Sequence, residues 1–149
     1  MKLDKVLNQL LLILTLIHIL SCNSEDDNST IENNCDFTSE IILEEDFNAI
    51  STSNYAITEV ELNDDCLEIT FSASGCGTDL WEENLYSTDA SYNVFPLQRD
   101  VKIELINEEL CLAVFQKTVS FDLTPFQIDG QSDLPLNITG WNEQITYGY

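Results

Sequence analysis

Past residue 36 the chain reads in short apolar–polar alternations. Val101, Ile103 and Leu105 alternate with Lys102 and Glu104, and Val119, Phe121 and Leu123 alternate with Ser120 and Asp122. A period of two is the signature of a strand with one buried face. The same pattern predicts a first strand over 41–46. Strands over 55–62 and 66–73 flank Asn63-Asp64-Asp65, a turn-favouring cluster that marks a hairpin. A strand over 80–87 carries Trp81 and Leu85, and another covers 100–106. Asn107-Glu108-Glu109 turns the chain into a return strand over 110–115. The run over 119–123 ends before Pro125, and a last pair over 134–139 and 144–149 is joined through Gly140-Trp141-Asn142. No segment after residue 20 sustains a helical period.

About 115 residues in this pattern make one domain of common size. Roughly seven to nine short strands at this spacing predict an all-β fold. The expected form is a small antiparallel β-sandwich, a Greek key of immunoglobulin or fibronectin outline.

The N-terminus follows a different pattern. Residues 6–20 are mostly leucine and isoleucine, interrupted by Asn8, Gln9, Thr15 and His18, and follow Lys2 and Lys5. A membrane-spanning helix needs ~20 apolar residues, so this run has the length of a signal peptide. It closes on Ile19-Leu20-Ser21-Cys22. That tetrad resembles the cleavage box of bacterial lipoproteins, with isoleucine where leucine is usual. The resemblance implies cleavage before Cys22 and acylation of its sulfur. The alternative is an ordinary secretory signal with a coincidental cysteine. Asn23-Ser24-Glu25-Asp26-Asp27 resembles the acidic export signal of surface-displayed lipoproteins of the Bacteroidota. Residues 23–34 are almost wholly polar, unable to bury a core, and so also read as a solvated tether. The expected organisation is a signal peptide over 1–21, a lipidated acidic tether over 22–36 and a β domain over 37–149. The expected location is the outer membrane at the cell surface, with a periplasm-facing anchor as the alternative.

Cysteine count agrees with export. Of five cysteines, four remain beyond Cys22: Cys35, Cys66, Cys76 and Cys111. An even number in an exported domain reads as two disulfides. A zinc site would call for ligand pairs two to four residues apart, and none is present. Cys66 and Cys76 lie at opposite ends of one expected strand, and eight strand residues span about 26 Å. Disulfides need Cα atoms within ~7 Å, which disfavours that pairing. Alternating strand direction places Cys35 with Cys66 at one end and Cys76 with Cys111 at the other.

Charge then narrows the chemistry. Of 27 acidic and 5 basic residues, Asp4, Lys2 and Lys5 lie in the first 21, as does the one histidine, His18. The exported chain keeps 26 acids and 3 bases, a formal charge of −23, and no histidine. Histidine-dependent nucleophilic sites, histidine-ligated zinc and imidazole pH switches are excluded. So negative a surface repels nucleic acid and anionic headgroups.

The candidate chemistry is sparse. Acid pairs at Glu44-Glu45-Asp46, Asp64-Asp65, Glu82-Glu83 and Glu108-Glu109 could offer oxygens to calcium, but no spaced aspartate loop is present. The expectation is no metal and no cofactor. A carboxylate pair for glycoside hydrolysis is conceivable, but no motif singles one out. No catalytic residue is assigned. Trp81, following a cysteine loop, is expected in the core. Trp141, in a turn, and Arg99, in a loop over 96–100, are the candidate binding residues. Lys117 is expected to neutralise a neighbouring carboxylate.

Asp65-Cys66-Leu67, Ser74-Gly75-Cys76-Gly77, Trp81, Pro96-Leu97-Gln98-Arg99, Glu109-Leu110-Cys111-Leu112, Phe115, Lys117 and Ser120-Phe121-Asp122-Leu123-Thr124-Pro125 resemble small lipoproteins of the Bacteroidota with no assigned function. The resemblance spans 63–149, implies a lipidated β-rich domain, and carries over no binding residue. The expected function is a membrane-anchored, non-enzymatic module that contacts an envelope protein or a glycan. The alternative is a carboxylate-dependent hydrolase acting on glycans.

Overall fold

The computed structural model describes residues 35–89 and 95–149. The signal segment, Cys22 and residues 23–34 of the tether lie outside them. Nine strands are described: β1 (Phe37–Thr38), β2 (Glu40–Ile41), β3 (Tyr55–Asn63), β4 (Cys66–Gly75), β5 (Glu82–Ser87), β6 (Arg99–Ile106), β7 (Ala113–Asp122), β8 (Asp133–Ile138) and β9 (Ile145–Gly148). A short helix, α1 (Glu44–Ala49), follows β2, and a 3₁₀ turn (Thr124–Phe126) follows β7. The strands form one sheet ordered β1-β7-β4-β3 and a second ordered β2-β5-β6-β8-β9.

Alternation builds the core that joins the sheets. Val101, Ile103 and Leu105 on β6 are buried, as are Val119 and Phe121 on β7. Leu67, Ile69 and Phe71 on β4 meet them with Leu85, Leu134, Leu136 and Tyr147 in one cluster. Central strand β4 is paired along its length on both sides, to β3 and to β7. Trp81 is buried and stacks on Phe71, ring centroids 6.0 Å apart.

The sheets are mixed rather than wholly antiparallel. β1 runs parallel to β7, β2 parallel to β5, and β6 parallel to β8. The chain leaves β6 for the other sheet, makes β7, and returns to the neighbour of β6 in the original direction. β1 and β2 are one extended run that changes sheet at the buried Ser39, whose N–H and hydroxyl both donate to the Asp122 carbonyl.

Four expectations change. The strand expected over 41–46 is instead the end of β2 followed by α1. That six-residue helix buries only Phe47, too little for a readable period, and carries Glu44, Glu45 and Asp46 at its positive end. The strands expected over 110–115 and 119–123 are one ten-residue strand, β7, because Gln116 and Lys117 continue the ladder to β4. Segment 107–112 is not a hairpin turn but a crossing between sheets, since β6 and β7 belong to different ones. Arg99 is not in a loop: it opens β6.

The disulfides join Cys35 to Cys66 and Cys76 to Cys111, with Cα atoms 5.6 and 5.0 Å apart. They sit at opposite ends of β4, as strand direction predicts. The second ties together the two crossings that leave β4 and β6.

Among the described residues, an ion pair links the sheets. Lys117 Nζ on β7 lies 2.7 Å from Glu83 Oε1 on β5, and the Glu83 side chain is 1% exposed. Removing one partner strands the other charge in a dry site, whereas removing both is far less costly. Lys117→Met is expected to cost about 3 kcal/mol in urea unfolding. The double variant Glu83→Gln, Lys117→Met is expected to recover most of it. Equal losses in the single and double variants would show that the pair does not couple the sheets.

Candidate functional site

The sequence candidates do not converge. Arg99 is 7% exposed; its Nε donates to the Phe126 carbonyl at 2.8 Å and its Nη1 to the Thr88 carbonyl. Its guanidinium also lies 6.0 Å from the centre of the Phe126 ring. It fastens the 3₁₀ turn and the end of β5 to β6, so it is not available to a partner, and that assignment is corrected. A guanidinium carries several donors in a fixed fork, which suits it to collecting carbonyls from separate segments. Trp141 is half-buried against the core at the β8–β9 turn, and its indole N–H is buried without an acceptor among the described residues.

The other two cations are also engaged. Lys102 Nζ donates to the Phe47 carbonyl at 2.9 Å and lies 4.6 Å from the centre of the Phe47 ring, holding α1 against β6. Lys117 serves Glu83 and donates to the Thr78 carbonyl. Every base of the described chain is thus committed to an internal contact.

Exposed apolar side chains gather where sequence reasoning placed no binding residue. Leu80, Ile106, Leu110, Leu112 and Val114 are exposed, Leu110 by 94% and Leu112 by 91%. The Cys76–Cys111 bridge, the pairing of Glu82 with Ile106 and that of Val114 with Ser74 bring them to one end of the sheets. A shallow recess of about 370 Å³ there is lined by Leu80, Glu82, Ile106, Glu108 and Glu109. The available sequence signal was Leu-Cys-Leu at 110–112, two leucines with no strand partner to bury them.

Glu109 organises this end. Its Oε2 accepts from the Cys76 N–H at 2.8 Å, the Trp81 indole at 3.1 Å and the Gly77 N–H at 3.4 Å. A Cβ at Gly75 would lie 2.5 Å from the same oxygen, so a side chain there would push the Glu109 carboxylate out of this position. The Cys76 N–H above all, with the Trp81 and Gly77 donors, holds the Glu109 carboxyl below its ordinary value. That is the wrong direction for a general acid: the group is an ionised acceptor locking the loop.

A second recess of about 330 Å³ is lined by Glu40, Ile42, Asp46, Ala49, Ile50, Tyr86 and Glu104. Burial, then Glu104 and Glu40, raise the Tyr86 hydroxyl. Among the described residues, no group of three or more His, Cys, Asp or Glu side chains is placed to hold a metal ion.

No family model matches the chain, and no curated protein does. Solved structures do. A protein of unknown function from Bacteroides vulgatus has a TM-score of 0.50 at 15% identity, covering 76% of this chain and 56% of its own. A protein from Parabacteroides distasonis, described as toxin related, also has a TM-score of 0.50, at 16% identity, covering 76% of this chain and 59% of its own. This chain therefore spans little more than half the length of either. The likeness is one of fold. It carries no site residue to this chain.

The Glu109 shift sets a pH dependence. A carboxyl whose value is lowered by folding stabilises the native state above its unfolded value, and that contribution is lost as pH falls through the folded value. Glu109→Gln is therefore expected to melt below wild type at pH 7, with the gap closing as pH falls through the lowered Glu109 value. A gap that persists unchanged in acid would show that the charge on Glu109 is not what locks the loop.

Proposed function

We propose that the chain is a lipoprotein, cleaved before Cys22, acylated there and displayed from the outer membrane at the cell surface. Its β domain, which we read as a variant of the immunoglobulin-like sandwich, is a non-enzymatic module that binds another envelope component. The Ile19-Leu20-Ser21-Cys22 box supports the anchor, and Glu25-Asp26-Asp27 supports surface display. The observation that carries the binding reading is the exterior. The described acids far outnumber three internally engaged bases, and exposed leucines gather around the Cys76–Cys111 bridge. An isolated exposed leucine is ordinary, but a cluster rimmed by charge marks a contact surface. Glu109, at the edge of the first recess, is shifted toward its ionised form, which suits a fixed acceptor and not a general acid.

Labelling cells with an alkyne fatty acid tests the anchor. Wild type is expected to incorporate label and partition with detergent, and Cys22→Ser to do neither. Protease treatment of intact cells is expected to remove the domain while a periplasmic control survives. Label on the Cys22→Ser variant would overturn lipidation at this cysteine, and survival of the domain on intact cells would overturn surface display.

A further inference from the structure

We infer that the outer edge of β7 over 113–118 is a docking edge for an extended, cationic polypeptide segment of a partner, which adds to the sheet as a strand. The inference rests on the binding-module reading and names its surface and partner chemistry. The direction of the free groups follows from the contacts at the far end of β7. The Ser120 N–H donates to the Asp36 carboxylate at 2.9 Å, and the Asp122 carbonyl accepts from the Ser39 N–H at 3.1 Å. Both point away from β4, and main-chain groups alternate along a strand, so those of Val114, Gln116 and Thr118 point the same way. β1 covers only Phe121 and Asp122. Among the described residues, nothing pairs with the main chain of those three.

Exposed edges normally carry a defence: a bulge, a charge, or extreme shortness. Edge strand β3 has them, a register break between Ile57 and Glu59 and acids at Glu59 and Glu61. β9, at the far edge of the other sheet, has four residues. β7 has neither a bulge nor an outward-facing charge over this stretch. Its ladder to β4 runs unbroken over ten pairs, its one charged side chain there, Lys117, is taken by Glu83, and Val114 is 70% exposed. Leu110 and Leu112 extend the apolar strip beyond its start. A long unpaired edge with exposed apolar side chains at its start is a template for strand addition, in which main-chain bonds give affinity and side-chain contacts give specificity.

Charge selects the occupant. A second copy of this chain, or the tether with Glu25, Asp26, Asp27 and Glu32, would bring acid to an acidic surface. A segment alternating basic and apolar residues meets both the strip and the field around it.

Amide hydrogen exchange on the soluble domain, residues 23–149, tests this with an alternating lysine–valine octapeptide as the probe. Octalysine and an alternating glutamate–valine octapeptide serve as controls. The lysine–valine probe is expected to protect the amides of Val114, Gln116 and Thr118 at least tenfold, with weaker binding as salt rises. Gln116→Pro removes an edge N–H that the ladder to β4 does not use, so it is expected to stay folded and lose that protection. Val114→Lys, on an exposed side chain, is expected to weaken binding without touching the main chain. Equal binding by octalysine, binding retained in Gln116→Pro, or no protection by the probe would each overturn the proposal. Protection already present in the free domain would also overturn it, assigning the edge to the chain's own N-terminal segment or to a second copy. None of these results bears on lipidation or display, which the labelling and shaving experiments decide separately.

Discussion

The described domain's three cations are all held by internal contacts, and much of the molecule follows from where each is placed. Arg99 gathers carbonyls from the 3₁₀ turn and from Thr88. Lys102 pins α1 by its Phe47 carbonyl and ring. Lys117 bridges the two sheets through Glu83. Each fastens something irregular, or something open, to the regular framework of strands. In a chain this acidic, a base spent on the surface would add little, since exposed ion pairs contribute a median near 0–1 kcal/mol. A base brought to a buried carbonyl or carboxylate satisfies a group that burial would otherwise penalise. The exterior is left to the acids, whose mutual repulsion must be withstood by the common core and the two disulfides.

Those disulfides act at the places where the strand framework is weakest. Cys35–Cys66 closes the end where the chain enters and changes sheet at Ser39, near the Tyr147 hydroxyl that donates to the Asp65 carboxylate across the sheets. Cys76–Cys111 closes the end where two crossings meet, with the Glu109 carboxylate locked beneath Trp81. Between them β4 runs the full length of the core. The leucines around the second bridge stay outside while Trp81 of the same end is buried against Phe71.

Much of this was legible in the residues. Alternation at 101–105 and 119–123 located β6 and the end of β7, and Asn63-Asp64-Asp65 located the hairpin, whose Asp64 adopts a positive φ of 51°. Strand direction alone was enough to pair the cysteines. Helix α1 was hidden because six residues with one buried side chain leave no periodic trace. The unity of β7 was hidden by Gln116 and Lys117, polar residues that continue a ladder whose inward side ends at an ion pair. Parallel pairings were hidden because they depend on which sheet the chain visits between two strands, which no local pattern records. Arg99 was misplaced for a simpler reason: an arginine beside a proline loop reads as solvent-facing, and only the carbonyls that meet it show otherwise. The β7 edge was invisible for the same reason as the parallel pairs, since an edge is defined by the strand that is missing beside it.

The account joins an anionic exterior to an unpaired edge, and the proposed anchor would hold both at the cell surface. Photo-crosslinking from position 114 in the full-length protein on intact cells tests that combination most directly, with position 146 on β9 as the comparison site. The account predicts an adduct from 114, absent from 146, whose crosslinked peptide maps to a basic extended segment of an envelope partner and is lost in high salt. Adducts within residues 23–34, to a second copy, or equally from both positions would contradict it.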